Sequence, residues 1–138
     1  EVLSYPTCLL LFPFFLVYIF ICSKIRLQKV AGFEKPKAEF EQYMTPAPLA
    51  ARFLFDAFLH GDIEGMKVLD LGCGTGMLSV GAALLGGNVT GVDGDSSALL
   101  TAEKNAASQK LDITFRQEII RSEPRCGFCN NQRSKSCG

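Results

Sequence analysis

Two carboxylates bracket a run of glycines. Asp70 stands two residues before Gly72 in the segment Lys67-Val-Leu-Asp-Leu-Gly-Cys-Gly-Thr-Gly76, and Asp93 follows seventeen residues after Gly76, in Gly91-Val-Asp-Gly-Asp95. Gly72, Gly74 and Gly76 alternate with Cys73 and Thr75. Glycines at this spacing allow positive φ and let a ligand approach the backbone closely. A helix opening at Met77 would offer free N–H groups beside them. The chemistry this suits is the binding of a nucleotide-like ligand across the carboxyl ends of parallel strands.

The spacing also bears on which ligand. A dinucleotide fingerprint reads Gly-x-Gly-x-x-Gly, whereas this chain reads Gly-x-Gly-x-Gly with an acid just ahead of it. Asp70 is poorly placed for a pyrophosphate and better suited to a cationic ligand. S-adenosylmethionine carries a sulfonium and an ammonium, so the reading is a methyl-donor site. Asp93, at the end of the next strand, is positioned to accept hydrogen bonds from both ribose hydroxyls, and Asp95 to shape the turn beside it. A nicotinamide site and a purely structural strand-to-helix turn stay open as alternatives at this level.

Other reactive side chains are few. Cys73 reads as a small buried residue between glycines and not as a reactive thiol. His60 is the single histidine; it reads as a surface or capping residue and not as a base. Metal sites built on histidine are therefore not expected. Cys126-x-x-Cys129, with Cys137 beyond, is one Cys pair without a second, which is a weak zinc signal. The six cysteines are scattered and do not resemble a disulfide scaffold, which implies a reducing compartment. Lys plus Arg and Asp plus Glu each total 14, so no global basic field advertises a nucleic-acid partner.

The elements that must hold the two acids are set by periodicity. Thr45 reads as an N-cap with Pro46 in the first helical position. Leu49, Ala50, Phe53, Leu54, Ala57 and Phe58 then recur at helical spacing up to Gly61. Met66–Leu71 reads as a short strand, Met77–Leu85 as a buried helix, and Asn88–Val92 as a second strand. Ser96 or Ser97 caps a helix to about Gln109, and Ile113–Arg116 is a third strand. This β-α-β-α-β order predicts a parallel sheet with right-handed crossovers.

Both ends differ from this middle. Val2–Cys22 has no charge and is followed by Lys24, Arg26 and Lys29. Its length approaches the roughly 20 apolar residues of a spanning helix, with the basic flank on the cytoplasmic side. Residues 1–24 therefore read as an apolar N-terminal helix that is either a membrane anchor or an artefact of an incorrect gene model. Pro13 and the aromatic crowding argue against a helix of a soluble core. Residues 25–119 read as a partial cofactor-binding domain, and 120–138 as a disordered or non-native tail.

The segment Val30-Ala-Gly-Phe-Glu-Lys-Pro-Lys-Ala-Glu-Phe-Glu-Gln-Tyr-Met-Thr-Pro46, followed by Asp62-Ile-Glu-Gly65 and the glycine motif, resembles the methyltransferase-like five and archaeal RNA adenine N6-methylase family of class I S-adenosylmethionine-dependent methyltransferases. The likeness covers about Lys24–Ile119. It implies a Rossmann-like parallel sheet, here incomplete at about three strands. It also implies the cofactor S-adenosyl-L-methionine and N6-methylation of adenine in small-subunit ribosomal RNA. The partners it implies are ribosomal RNA and a small zinc-binding activator protein, in the cytoplasm or nucleus; residues 2–22, if native, would add a membrane. By position it assigns cofactor contacts to Gln42 and Thr45 at the methionine end and to Gly72, Thr75 and Met77 at the loop, where the reading of the motif itself already places Asp70, Gly74 and Gly76. It assigns the ribose to Asp93 and the adenine edge to Glu118 and Ile119. Met44 replaces the proline usual before Thr45.

One departure matters for activity. The family motif Asn-Pro-Pro-Phe holds the adenine amino group and stacks on the base, as flipped bases are generally read. It does not occur in these 138 residues, and Asn130 and Asn131, near the expected place, are given no catalytic role. The expectation is a methyltransferase-like chain without transfer activity of its own. A sheet of three strands should leave an exposed edge and an uncovered face. Two other functions remain open, a membrane-anchored non-catalytic binding module and a small-molecule or protein methyltransferase.

Overall fold

The computed structural model describes residues 7–33 and 43–119, with side chains from residue 13. The elements run α1 (Thr7–Leu27), α2 (Ala47–Leu59), β1 (Lys67–Leu71), α3 (Met77–Leu84), β2 (Asn88–Asp93), α4 (Ser96–Ser108) and β3 (Thr114–Gln117). The strands form one sheet in the order β1-β2-β3. Both pairs are parallel, with Asp70 opposite Gly91 and Asp93 opposite Gln117. Each parallel step is bridged by a helix, as parallel pairing requires.

The core lies between the sheet and the helices. Val80, Ala82 and Leu85 of the α3 region pack with Val89 of β2 and with Ala50, Ala51 and Leu54 of α2. Gly81 makes the α2–α3 contact possible, because a Cβ there would overlap Leu54 Cδ1. The face of β1 that carries Leu69 and Leu71 is open, at 60 % and 59 % exposure, and β1 pairs on one edge only among the described residues. The expected free edge and uncovered face are thus present.

The amino-terminal region departs from expectation. α1 runs through the boundary placed at residue 24 to Leu27 and carries Lys24 and Arg26 in its last turn, so it is not apolar throughout. Among the described residues no helix is long and apolar enough to cross a membrane. One face of α1 packs into the domain: Leu27 is fully buried, Ser23 is buried, and Phe20 packs on Phe55 of α2 with ring centroids 5.1 Å apart. Contrary to expectation, Pro13 does not keep α1 out of the core, because the packed face, Ile19 to Leu27, begins more than one turn beyond that proline. Arg26 closes the contact by donating to the side-chain and backbone oxygens of Gln109, both at 3.0 Å.

Two caps also differ. Pro46, not Thr45, is the N-cap residue of α2, and no side chain makes a capping bond there. Asp95, not a serine, caps α4, accepting from Ser97 N at 3.1 Å and Ser97 Oγ at 2.8 Å. A carboxylate at a helix N-terminus also meets the positive end of the helix dipole. His60 is the exposed C-cap residue of α2, with Nδ1 2.7 Å from Asp56 O.

Candidate cofactor site

The turn after β1 is shaped by backbone conformation that glycine supplies. Gly72, Gly74 and Gly76 have φ of 79°, 54° and 85°, values that cost other residues strain. The turn is pinned to the neighbouring strand, since Gly72 N and Cys73 N both donate to Val92 O, at 2.8 and 3.0 Å. It then enters α3 with Gly76 as N-cap.

Asp93 ties the two strand ends together. Its Oδ2 accepts from Gly74 N and its Oδ1 from Asp95 N, each at 2.8 Å. The carboxylate is therefore held in one orientation by two backbone donors, with lone pairs left for a ligand. Asp70 is set differently. Its Oδ2 accepts from Ser79 Oγ at 2.6 Å, and Ser79 is fully buried. Burial raises the Asp70 carboxyl above its ordinary value; the Ser79 hydroxyl and backbone N–H pull the other way, and the Asp93 charge adds to the rise.

A cavity of about 310 Å³ opens between this turn and the segment ahead of α2. Of the expected site residues, Thr45, Asp70, Gly72, Gly74, Thr75, Met77, Asp93, Glu118 and Ile119 line it together. Glu118 is brought there by its own N–H, which donates to Asp93 O at 3.0 Å. Gly76 does not line the cavity; a Cβ on it would meet Ala102 Cβ at 3.2 Å, so it serves close packing of α3 on α4. Gln42 lies outside the described residues, as do Cys126, Cys129, Cys137, Asn130 and Asn131.

Cys73 also lines the cavity, yet burial first, then the Asp70 and Asp93 charges, push its thiol up to about 12. It stays protonated at neutral pH and is no nucleophile. Phe33, Tyr43, Met44, Leu78 and Gly94 complete the lining and were not assigned from sequence. Phe33 and Tyr43 fall inside the Gly-Phe-Glu-Lys-Pro and Glu-Gln-Tyr segments, so the signal was present without a geometry to read it by. Among the described residues no group of three or more His, Cys, Asp or Glu could hold a metal ion.

The cavity fits a nucleoside joined to a cationic amino acid. Asp70 stands just ahead of the turn and Asp93 at the end of β2 beside it, both lining the cavity, and a Cβ on cavity-lining Gly72 would meet nothing within 4 Å, so the space beside the backbone is open. Together with the parallel β-α-β-α-β order, these features define a class I, Rossmann-like, S-adenosylmethionine-dependent methyltransferase domain.

Comparison with known proteins agrees. The methyltransferase-domain family profile matches residues 62–130. The chain is 46 % identical over 87 residues to the rRNA N(6)-adenosine-methyltransferase Mettl5 of Drosophila melanogaster, covering 62 % of this chain and 41 % of that protein. It is 37 % identical over 105 residues to the ubiquinone biosynthesis O-methyltransferase of Glaesserella parasuis, covering 71 % and 44 %. A solved structure of a candidate RNA methyltransferase from Pyrococcus horikoshii superposes with a TM-score of 0.66 at 40 % identity, over 71 % of this chain and 49 % of that one. The chain thus spans less than half the length of these relatives. It belongs to the methyltransferase-domain family and is of the Mettl5-like kind.

Proposed function

We propose that this chain carries the donor-binding part of an S-adenosylmethionine-dependent RNA methyltransferase whose target is the N6 amino group of an adenine in ribosomal RNA. The observation that carries the donor reading is Asp93, fixed by two backbone N–H groups at the edge of the cavity. In this reading its remaining lone pairs accept the ribose hydroxyls, and Asp70 faces the ammonium. Thr45, with Gln42 ahead of it, adjoins the methionine end. Gly72, Gly74, Thr75 and Met77 form the floor, with Gly76 supporting it from behind. Glu118 and Ile119 edge the adenine. The RNA part of the proposal is supported by the identity to the Drosophila enzyme; a small zinc-binding activator protein is the partner proposed from the family resemblance of residues 30–46.

The 138 residues contain no Asn-Pro-Pro-Phe, so this chain is proposed to hold the donor without transferring its methyl group. Calorimetric titration with S-adenosylmethionine tests the first part, and saturable one-to-one binding is expected. Absence of heat at millimolar donor refutes it. Incubation with labelled donor and small-subunit ribosomal RNA tests the second; N6-methyladenosine in the product overturns it.

A small-molecule methyltransferase is the second reading, favoured by the identity to the ubiquinone-pathway enzyme. The donor-loaded chain offered an rRNA fragment and a phenolic quinone precursor separates the two. Binding of the RNA alone supports the first reading, and binding of the phenol alone supports the second.

A further inference from the structure

Asn105 is a polar side chain buried in α4 at 5 % exposure, and it touches two segments far from it in sequence. Its Oδ1 accepts from Ala31 N at 3.0 Å. Its Nδ2 donates to Ala31 O at 3.1 Å and to Thr75 O at 2.9 Å. One carboxamide thus uses an acceptor and both donors to join the strap after α1 to the glycine turn. Aspartate lacks the donors, leucine lacks all three functions, and serine is too short to span both segments.

The strap matters because it carries Phe33 to the cavity. Phe33 lies two residues beyond Ala31 and lines the cavity, with its Cζ 2.9 Å from where a Cβ on Gly74 would stand. The distance between the Phe33 ring and the turn sets the width of the cavity at that point. Among the described residues, Asn105 is the side chain that hydrogen-bonds both the turn and the strap. One helical turn later, just past the end of the same helix, Gln109 repeats the device: its Nε2 donates to Arg26 O at 3.0 Å while its own oxygens accept from Arg26. The α4 region therefore holds the α1 end and its strap at two levels, and only the Asn105 level reaches the cofactor turn.

We propose that Asn105 is a positioning residue of the donor site, which sets the spacing between Phe33 and the glycine turn by bonding Ala31 and Thr75 at once. This rests on the reading that the cavity binds S-adenosylmethionine. Asn105 does not line the cavity itself; it acts through Phe33 and Thr75.

The test is calorimetric binding of S-adenosylhomocysteine to the whole chain and to Asn105→Asp, Asn105→Ser, Phe33→Ala and the doubles that pair each Asn105 change with Phe33→Ala. Circular dichroism confirms folding of each. Asn105→Ser covers the case in which the buried charge of Asn105→Asp prevents folding. Losing buried hydrogen bonds of this kind is expected to weaken binding by about tenfold. In the Phe33→Ala background the same change should cost less than about threefold, because the group being positioned is gone. Costs that multiply fully in the doubles, or singles that bind as the unaltered chain does, overturn the proposal. An unaltered chain that binds no S-adenosylhomocysteine refutes the donor reading and this role with it, whereas tight binding with multiplying costs refutes this role alone.

Discussion

Replacing Asp93 by asparagine changes one oxygen into an NH₂ group and removes the charge. The carboxylate now receives two backbone N–H donors, from Gly74 and Asp95, both at 2.8 Å. An asparagine oxygen can serve one of them; the other N–H then faces an NH₂ group. A hydrogen bond to a charged acceptor contributes about 1.5–3 kcal/mol, so Asp93→Asn should destabilise the empty chain by roughly 2 kcal/mol. The ribose hydroxyls lose a charged acceptor as well, which weakens donor binding by about ten- to a hundredfold. Calorimetry with S-adenosylhomocysteine and with adenosine reads the second effect, and thermal melting the first. Because the ribose is common to both ligands, both should lose affinity by similar factors. Asp70→Asn, in contrast, should weaken S-adenosylhomocysteine and leave adenosine unchanged, since adenosine has no ammonium. If Asp93→Asn binds S-adenosylhomocysteine within about threefold of the unaltered chain, a difference of about 0.7 kcal/mol, the ribose assignment is wrong.

Three further outcomes are expected. Asp70 titrates above its ordinary value in the empty folded chain, so its contribution favours folding below the ordinary carboxylate pKa and is lost as pH rises through the raised one. A donor ammonium beside Asp70 favours the charged form, so affinity should climb with pH across that window, and Asp70→Asn should flatten the climb in calorimetric titrations at several pH values. Gly91→Ala would bring a Cβ to 2.8 Å from two ring carbons of Phe115 and 3.0 Å from Cys73 Sγ; overpacking of this kind should cost about 1–3 kcal/mol, visible as a lower melting temperature. Cys73, with its thiol pushed up to about 12, should resist alkylation in the folded chain at mildly alkaline pH and react on unfolding, followed residue by residue by mass spectrometry.

Local sequence determined the frame of the site. The alternation of apolar runs with Gly72–Gly76 and Gly86–Gly87 marked β1, α3 and β2 to within a residue or two, because glycine punctuation and short buried runs are local signals. Asp70 and Asp93 were legible for the same reason: an acid at a strand end beside a glycine turn is a pattern along the chain. Chemistry at a distance was not legible. Asp95 out-competed Ser96 and Ser97 as the α4 cap because only the folded turn shows which oxygen reaches the Ser97 N–H. Phe33 became part of the cavity through Asn105, whose partners lie 74 and 30 residues away. Composition reports how apolar α1 is but not which face it buries; that face is set by the packing of Phe20, Ser23 and Leu27 against the domain. Sequence thus specified the two acids and the turn between them. Tertiary structure decided how wide the space between them is and what closes its far side, since those depend on contacts that no local pattern encodes.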